Sequence, residues 1–330
     1  MPELPEVESL RIGLSKAIIG QKIISIKINN TKIISKKSTL FSIFDWEKLQ
    51  IENQQTWQNN LVGQIFDKIE RRAKNLIITM KSGDLLLIHL KMTGQLVFEQ
   101  NSELIDKCEN SKVKLEENLE NNQFLKTRNQ INSQIVSGGH AINNLTLPNK
   151  HTHLIFELTN GTLFYNDIRK FGYVYYFKHG TFDQNHFKKL GLEPLDPNFT
   201  LNYFSQRLKE TKGVLKKILL EQKIVVGLGN IYSDEVCFAS KILPQKKVQN
   251  LSQLEIKKLY DEIIRIIPLA IMHGGSSISN YLLVDGKRGN YADFHLVYGK
   301  YGKHCSICNT ILEKTKIGGR TTTFCPSCQS

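Results

Sequence analysis

An α+β architecture is predicted, with a β-rich N-terminal half, a helical segment after it and a small cysteine-bearing tail. Three observations carry this. Short apolar stretches such as KIISIKI, GDLLLIHLKM, THLIFEL, TLFYNDI and GYVYYFK alternate with turn residues up to position 178, which suits an antiparallel sandwich or barrel. From 201 to 273 the apolar spacing changes to three and four residues. Beyond 296, four of the six cysteines gather in two pairs. The chain's 330 residues, 40% hydrophobic, suffice for two or three domains.

The elements follow in order. Leu4, Val7, Leu10, Leu14 and Ile18 mark an amphipathic helix over 3–18, with Pro2 and Pro5 at its start, where missing N–H groups cost little. The strands run from there through GYVYYFK, ending at 178. Residues 101–149 interrupt them with an Asn-rich, weakly periodic run, predicted to be a disordered insertion joining two strands; a further extra stretch lies near 37–58. GLEPLDPNFT at 191–200 reads as a linker. One helix is predicted over about 201–222, a second opening at GNIYSDEVCFAS, and a third over 252–273. That third helix starts in the capping box Ser252 to Glu255 and stops at Gly274. The boundaries become 1–193, a linker at 194–200, 201–295 and 296–330.

No apolar run approaches the roughly 20 residues of a membrane helix. The acidic, proline-broken start MPELPEVE lacks a basic-then-apolar signal pattern. The expectation is a cytoplasmic protein with no membrane partner. Lys and Arg number 44 against 31 Asp and Glu, a net charge of +13 that suggests a polyanionic partner, most often nucleic acid. An AT-rich coding composition, which inflates Lys, gives the same excess.

Cys305 and Cys308, then Cys325 and Cys328, form two CxxC pairs separated by 16 residues. Such knuckles bring four thiolates tetrahedrally around one Zn2+, and four protein ligands leave no open position, so a structural zinc is expected. The residues between them read as a hairpin turning at Gly318 and Gly319. Arg320 sits at that turn with Lys303, Lys314 and Lys316 around it, either a solvated basic face or an arm toward a nucleic-acid backbone. In VVGLGNIYSDE, Gly227 and Gly229 precede Asn230, placed as an N-cap. Close backbone approach and free helix N–H groups suit a phosphate, with Lys216, Lys217 and Lys223 supplying charge. A plain capped helix–helix turn explains the same residues.

PELPEVE, RRAKNL at 71–76, HLKMTGQL at 89–96, KHTHL at 150–154, DIRKFG at 167–172, VVGLGNIYSDE, DGKRGNYADF at 285–294, VYGKYGKHC and GGRTTTFCPSCQ together resemble the formamidopyrimidine-DNA glycosylases. The resemblance spans the chain outside 101–149 and about 35–60. It implies a β-sandwich with the N-terminal helix, a helix-two-turn-helix domain and a zinc ribbon. It implies a monomeric base-excision enzyme that removes 8-oxoguanine and ring-opened purines from double-stranded DNA, then nicks the strand.

In that reading Met1 is trimmed and Pro2 becomes the nucleophile. An α-amino group has a pKa of about 7.7–8, so part of it is uncharged at neutral pH, and a secondary amine attacking the sugar gives an iminium directly. Glu3 matches the general acid and Glu6, one turn on, positions the amine. Without the family, both acids fit any helix's first turn. Lys74 matches the lysine assisting β-elimination; Arg320 matches the phosphate-binding arginine of the ribbon. The wedge that replaces a flipped base corresponds to Met92, Arg169 and Phe171, although Met and Phe in strands are more often core. His89, His151, Lys212 and Asn230 match phosphate contacts, and VDGKRGNYADF a loop covering the base. Ile168, Lys170 and Lys91 depart from the family pattern and leave the wedge turn open. The alternatives are an endonuclease VIII-like glycosylase for oxidised pyrimidines and a noncatalytic zinc-ribbon DNA-binding protein. PELPEVE and the Arg-x-Phe wedge favour the purine enzyme.

Overall fold

The computed structural model describes residues 1–35, 54–101, 135–138, 146–276 and 289–330. Most of the predicted insertion, most of the 37–58 stretch and the first part of the base-covering loop lie outside them.

Helix α1 (Leu4–Ile18) forms as its pattern dictates. Pro5 occupies the first turn, and the Glu6 carboxylate reaches back 2.7 Å to accept the backbone N–H of Glu3. Its stripe of Val7, Leu10, Leu14 and Ile18 is buried in a core supplied by two antiparallel sheets. The first sheet runs β1 (Ile23–Ile28), β7 (Thr152–Leu158), β8 (Gly161–Asp167), β5 (Gly94–Gln100), β6 (Ile135–Gly138); the second β2 (Phe66–Arg72), β3 (Asn75–Met80), β4 (Leu85–His89), β9 (Tyr173–Phe177). Alternate residues of both, including Ile26, Phe156, Tyr165, Leu76, Ile78, Ile88 and Val174, share that core, which makes the N-terminal half a sandwich. Helices α2 (Lys32–Ser35) and α3 (Gln54–Leu61) add Ile33, Ile34, Trp57 and Leu61. The β6 backbone, inside the predicted insertion, pairs with β5.

Four helices follow: α4 (Leu201–Lys209), α5 (Leu215–Leu220), α6 (Asn230–Ala239) and α7 (Gln253–Met272). The single helix expected over 201–222 is two. The chain breaks at Thr211–Lys212–Gly213, where Gly213 takes φ +134, a value open to glycine. Helix α7 has the predicted capping box, with Ser252 Oγ accepting from Glu255 N, and ends at Gly274 with φ +73. Helix α6 starts one residue earlier than expected: Gly229 is its cap and Asn230 its first helical residue. These helices bury a second core, and Leu4 of α1 lies in that core, whereas Val7 lies in the sandwich. The N-terminal helix therefore spans the junction. The linker is fastened there too: Leu192 bridges Val225, and Gly191 N–H donates to Gln222 O at 2.9 Å.

The tail forms hairpin β10 (Glu313–Ile317) and β11 (Arg320–Phe324), turning at Gly318 and Gly319, both with positive φ. Val297, Leu312, Cys305 and Cys325 pack on Phe238 of α6. The fold is α+β, as predicted. No helix among the described residues is long and apolar enough to cross a membrane.

Candidate active site and DNA-facing surface

The chain's amino group, Glu3, Glu6, Lys74 and Arg320 converge, although they come from α1, the β2–β3 hairpin and the ribbon. Burial lowers the α-amino pKa of Met1, opposed by Glu3 and then Glu6, with Lys74 and Arg320 lowering it further. Each of the four is thus an electrostatic neighbour of the terminal amine.

Glu3 is buried, and its carboxylate sits on the N-terminus of α6. Oε2 accepts the N–H of Gly229 at 2.6 Å and of Tyr232 at 3.2 Å, and Oε1 that of Ile231 at 2.8 Å. The helix end expected to hold a phosphate holds this side chain instead, because a carboxylate satisfies the same free N–H groups and dipole. The glycines serve the same contact. A Cβ at Gly229 would meet the Glu3 carboxyl at 2.3–2.4 Å, and one at Gly227 the Leu4 side chain at 2.3 Å. The backbone comes close to the chain's own N-terminus.

Glu6 is buried beneath. Its Oε1 accepts from Tyr232 Oη and Ser276 N, each at 2.7 Å. Burial raises its pKa, and so does Glu3 beside it. Lys74 lies in the tight β2–β3 turn, where Ala73 adopts φ 53. Its Nζ donates to Leu228 O at 2.8 Å, and burial lowers its pKa against the pull of Glu3 and Glu6. Glu193 of the linker fixes that turn: it accepts from Arg71 at 2.7 Å, Arg72 at 3.0 Å and Ala73 N at 2.7 Å.

Of the lysines expected to supply phosphate charge, Lys216 does not. It is fully buried, with Nζ 2.5 Å from Asp234 Oδ1 of α6. Its aliphatic neighbours and the long stem carry the ammonium inward, where only a paired charge is tolerable. Asp234 Oδ2 also accepts from Thr323 N at 3.1 Å, so this ion pair docks the ribbon. Asn230 Nδ2 donates to Thr321 O at 3.0 Å, tying the start of α6 to β11. Arg320 heads β11 and is exposed. Lys212 is exposed in the link between α4 and α5.

Met92, Arg169 and Phe171 meet at one exposed edge of the sandwich. The Arg169 guanidinium lies 4.6 Å from the Phe171 ring centroid, and its Nη1 is 3.0 Å from Met92 Sδ. Phe171 is 38% exposed, so it is not core. The buried Asp167 holds both loops. Its Oδ1 accepts from Thr93 Oγ1 at 2.5 Å and Arg169 N at 3.2 Å, and Oδ2 from Gly172 N at 2.8 Å. Lys170 takes φ 56 and Lys91 φ 52, so two of the three departures from the family pattern fall on left-handed turn positions. His89 ends β4, and its Nδ1 accepts the Lys91 N–H at 3.0 Å, leaving Nε2 as the donor. Burial, then Lys91 and Lys74, keep its pKa well below the usual value, so it is neutral. His151 is half-buried in the turn before β7.

The Sγ atoms of Cys305, Cys308, Cys325 and Cys328 all lie within 4.8 Å of one another, with Cys308–Cys325 at 3.4 Å and Cys305–Cys328 at 3.9 Å. Sulfurs about 2.3 Å from one ion at tetrahedral corners stand about 3.8 Å apart. The donor set fits one structural zinc. Cys237 is buried and away from this cluster.

Asp167, Asp234, Glu193 and Tyr232 were not singled out from sequence. Asp167 and Glu193 lie inside DIRKFG and GLEPL, but their aim depends on partners as far as 122 residues away, and nothing local encodes it.

The formamidopyrimidine-DNA glycosylase N-terminal domain matches residues 1–174, the formamidopyrimidine-DNA glycosylase H2TH domain 190–281, and the zinc finger found in FPG and IleRS 302–330. The chain is 36% identical over 332 residues to the formamidopyrimidine-DNA glycosylase of Streptococcus mutans, covering all of this chain and 99% of that one. It is similar to a complex between the wild-type Lactococcus lactis Fpg (MutM) and a N7-benzyl-Fapy-dG containing DNA, with TM-score 0.75 and 31% identity over the whole of both chains. A complex between the Lactococcus lactis Fpg and an abasic site containing DNA gives TM-score 0.76 and 32% identity, covering 99% of each chain. With a domain model covering more than half its length and a full-length relative at this identity, the chain belongs to the formamidopyrimidine-DNA glycosylase family.

Proposed function

We propose that this chain excises oxidised purines, 8-oxoguanine and formamidopyrimidines, from double-stranded DNA as a monomer, and nicks the strand by β,δ-elimination through a Schiff base at Pro2. The observation that carries it is the terminal amine gathered among Glu3, Glu6, Lys74 and Arg320. The relatives' complexes with Fapy-dG and abasic-site DNA support the substrate class.

Removal of Met1 leaves the Pro2 amine in this buried setting, where burial favours the uncharged, nucleophilic form. The amine attacks C1′, the C1′–base bond breaks and the C1′–O4′ bond then opens to give an iminium, with Glu3 as the proton donor at the ring oxygen or the leaving base. Glu6 positions the amine and takes the proton it sheds. The resulting iminium withdraws electrons, so a C2′ proton is lost with assistance from Lys74 and the C3′–O bond breaks. A second elimination breaks the C5′–O bond while Arg320 holds the phosphate. In the same reading Arg169 faces the orphaned cytosine, Met92 and Phe171 fill the gap in the stack, and His89, His151, Lys212 and Asn230 contact phosphates. The zinc holds the ribbon that carries Arg320 and takes no chemical step. The bacterial cytoplasm is the matching compartment.

The test is borohydride trapping on a duplex with 8-oxoguanine opposite cytosine, followed by peptide mapping of the adduct. A covalent complex at Pro2 is expected. An adduct formed only on a thymine glycol duplex would move the assignment to oxidised pyrimidines. No adduct on either, from protein lacking Met1, would refute an enzymatic role.

A further inference from the structure

Glu6 begins a buried line of four side chains. Tyr232 Oη donates to Glu6 Oε1 at 2.7 Å, Ser276 Oγ lies 3.0 Å from Tyr232 Oη, and His295 Nε2 lies 2.7 Å from Ser276 Oγ. None of the four is more than 6% exposed: Glu6, Tyr232, Ser276 and His295 stand at 4%, 0%, 6% and 4%. Each hydroxyl has one proton to give. Tyr232 gives its proton to Glu6, so Ser276 supplies Tyr232, and His295 supplies Ser276 from Nε2. The three donors then point one way, toward the carboxylate.

We infer that His295 is a positioning residue for this active site, orienting the Ser276 and Tyr232 hydroxyls so that their protons stabilise ionised Glu6. This rests on the proposed lyase reading, in which Glu6 must be ionised to accept the amine's proton. A shuttle role does not fit. Burial, and then Lys300, hold His295 down to about 4, so the imidazole is neutral at working pH. Asp293 opposes that shift, the Lys300 ammonium donates to the His295 carbonyl, and the rings of Tyr291 and Tyr298 flank the imidazole. The buried Glu235 carboxylate accepts the N–H groups of the next three residues, 296–298. Around Glu6 the charged groups among the described residues include Glu3, the terminal amine and Lys74. Burial and Glu3 push Glu6 up; the Tyr232 hydroxyl, which ends the line, opposes them, as do the backbone N–H groups of Ser276 and Glu3. Weakening the line leaves burial less opposed.

The test is the pH dependence of borohydride trapping on an abasic-site duplex for the full-length wild type, Y232F, H295L, S276A and H295Q. A hydrogen bond to a charged acceptor corresponds to about tenfold in the ionisation equilibrium. Y232F is expected to trap about tenfold more slowly than wild type near pH 6, yet within about twofold near pH 8.5. H295L and S276A, one step or more removed, should show the same acid-side shift at about threefold. H295Q, which keeps an N–H at the Nε2 position, should restore the wild-type profile. S276A breaks the same link with the imidazole in place, so it decides the matter if H295L does not fold. Profiles of H295L or S276A that superimpose on wild type, or fall equally at every pH, would overturn the proposal. So would a failure of H295Q to restore it. Absence of an adduct from wild type at every pH overturns the lyase reading instead.

Discussion

Replacing Gly229 with alanine isolates the Glu3 contact. Gly229 has φ −125, outside the left-handed region reserved for glycine, so the main perturbation is the added methyl. That methyl would stand 2.3 Å from the Glu3 carboxyl carbon and 2.4 Å from Oε1, against an ordinary contact of about 3.5–4.0 Å. The carboxyl is the free end of a side chain, so it yields by roughly 1 Å rather than the backbone. It then surrenders some of its three N–H bonds to the start of α6. Charge-assisted bonds contribute about 1.5–3 kcal/mol each, but the displaced carboxylate regains partners, so the loss of stability is about 1–3 kcal/mol. The loss of activity is larger. Misplacing a general acid by about 1 Å costs roughly 10²-fold, and removing one about 10²–10⁴-fold. Single-turnover excision from an 8-oxoguanine duplex measures this for wild type, G229A, E3Q and the double variant. G229A is expected to lose at least 10²-fold while remaining folded, and to add little to E3Q. Excision by G229A within threefold of wild type, or full additivity with E3Q, would refute the reasoning.

Three other substitutions or treatments follow from the same contacts. D234A leaves the Lys216 ammonium buried without its partner, so urea unfolding should show a loss of about 3–5 kcal/mol, whereas K217A, on the exposed face of the same helix, should change stability by under about 0.5 kcal/mol. Stripping zinc with a chelator should abolish binding to abasic-site duplex, measured by gel shift, because the cysteine cluster orders the hairpin bearing Arg320; near-UV circular dichroism should keep most of the sandwich's aromatic signal. His295 is held near 4 when folded and titrates near 6.5 when unfolded, so the unfolded chain binds more protons between those values. Its contribution is intact above about pH 6.5 and is lost as pH falls toward 4. Relative to H295L, wild type should therefore lose about 3 kcal/mol across that window, read from urea midpoints; a constant difference between the two would refute it.

Much of the site was legible in local order. Helix α1 and its capping, the β2–β3 turn bearing Lys74, the Gly318–Gly319 turn and the CxxC spacing are set within about twenty residues by periodicity, turn chemistry and ligand geometry. Two readings made on equally good local grounds went differently. The N-terminus of α6 looked free for a phosphate, and Lys216 looked like surface charge. In the fold, Glu3 caps the first, and Asp234 buries the second.

The sequence by itself determined which elements form, that four thiolates gather and which residues carry reactive groups, since each follows from neighbours along the chain. Only the tertiary structure decided which groups face one another. Glu3 and Ile231 are 228 positions apart, Glu6 and Ser276 270, and Arg71 and Glu193 122. A carboxylate's role depends on whether the nearest donor is water, a phosphate site or a helix end, and burial makes that choice strict because an unpaired charge there is costly.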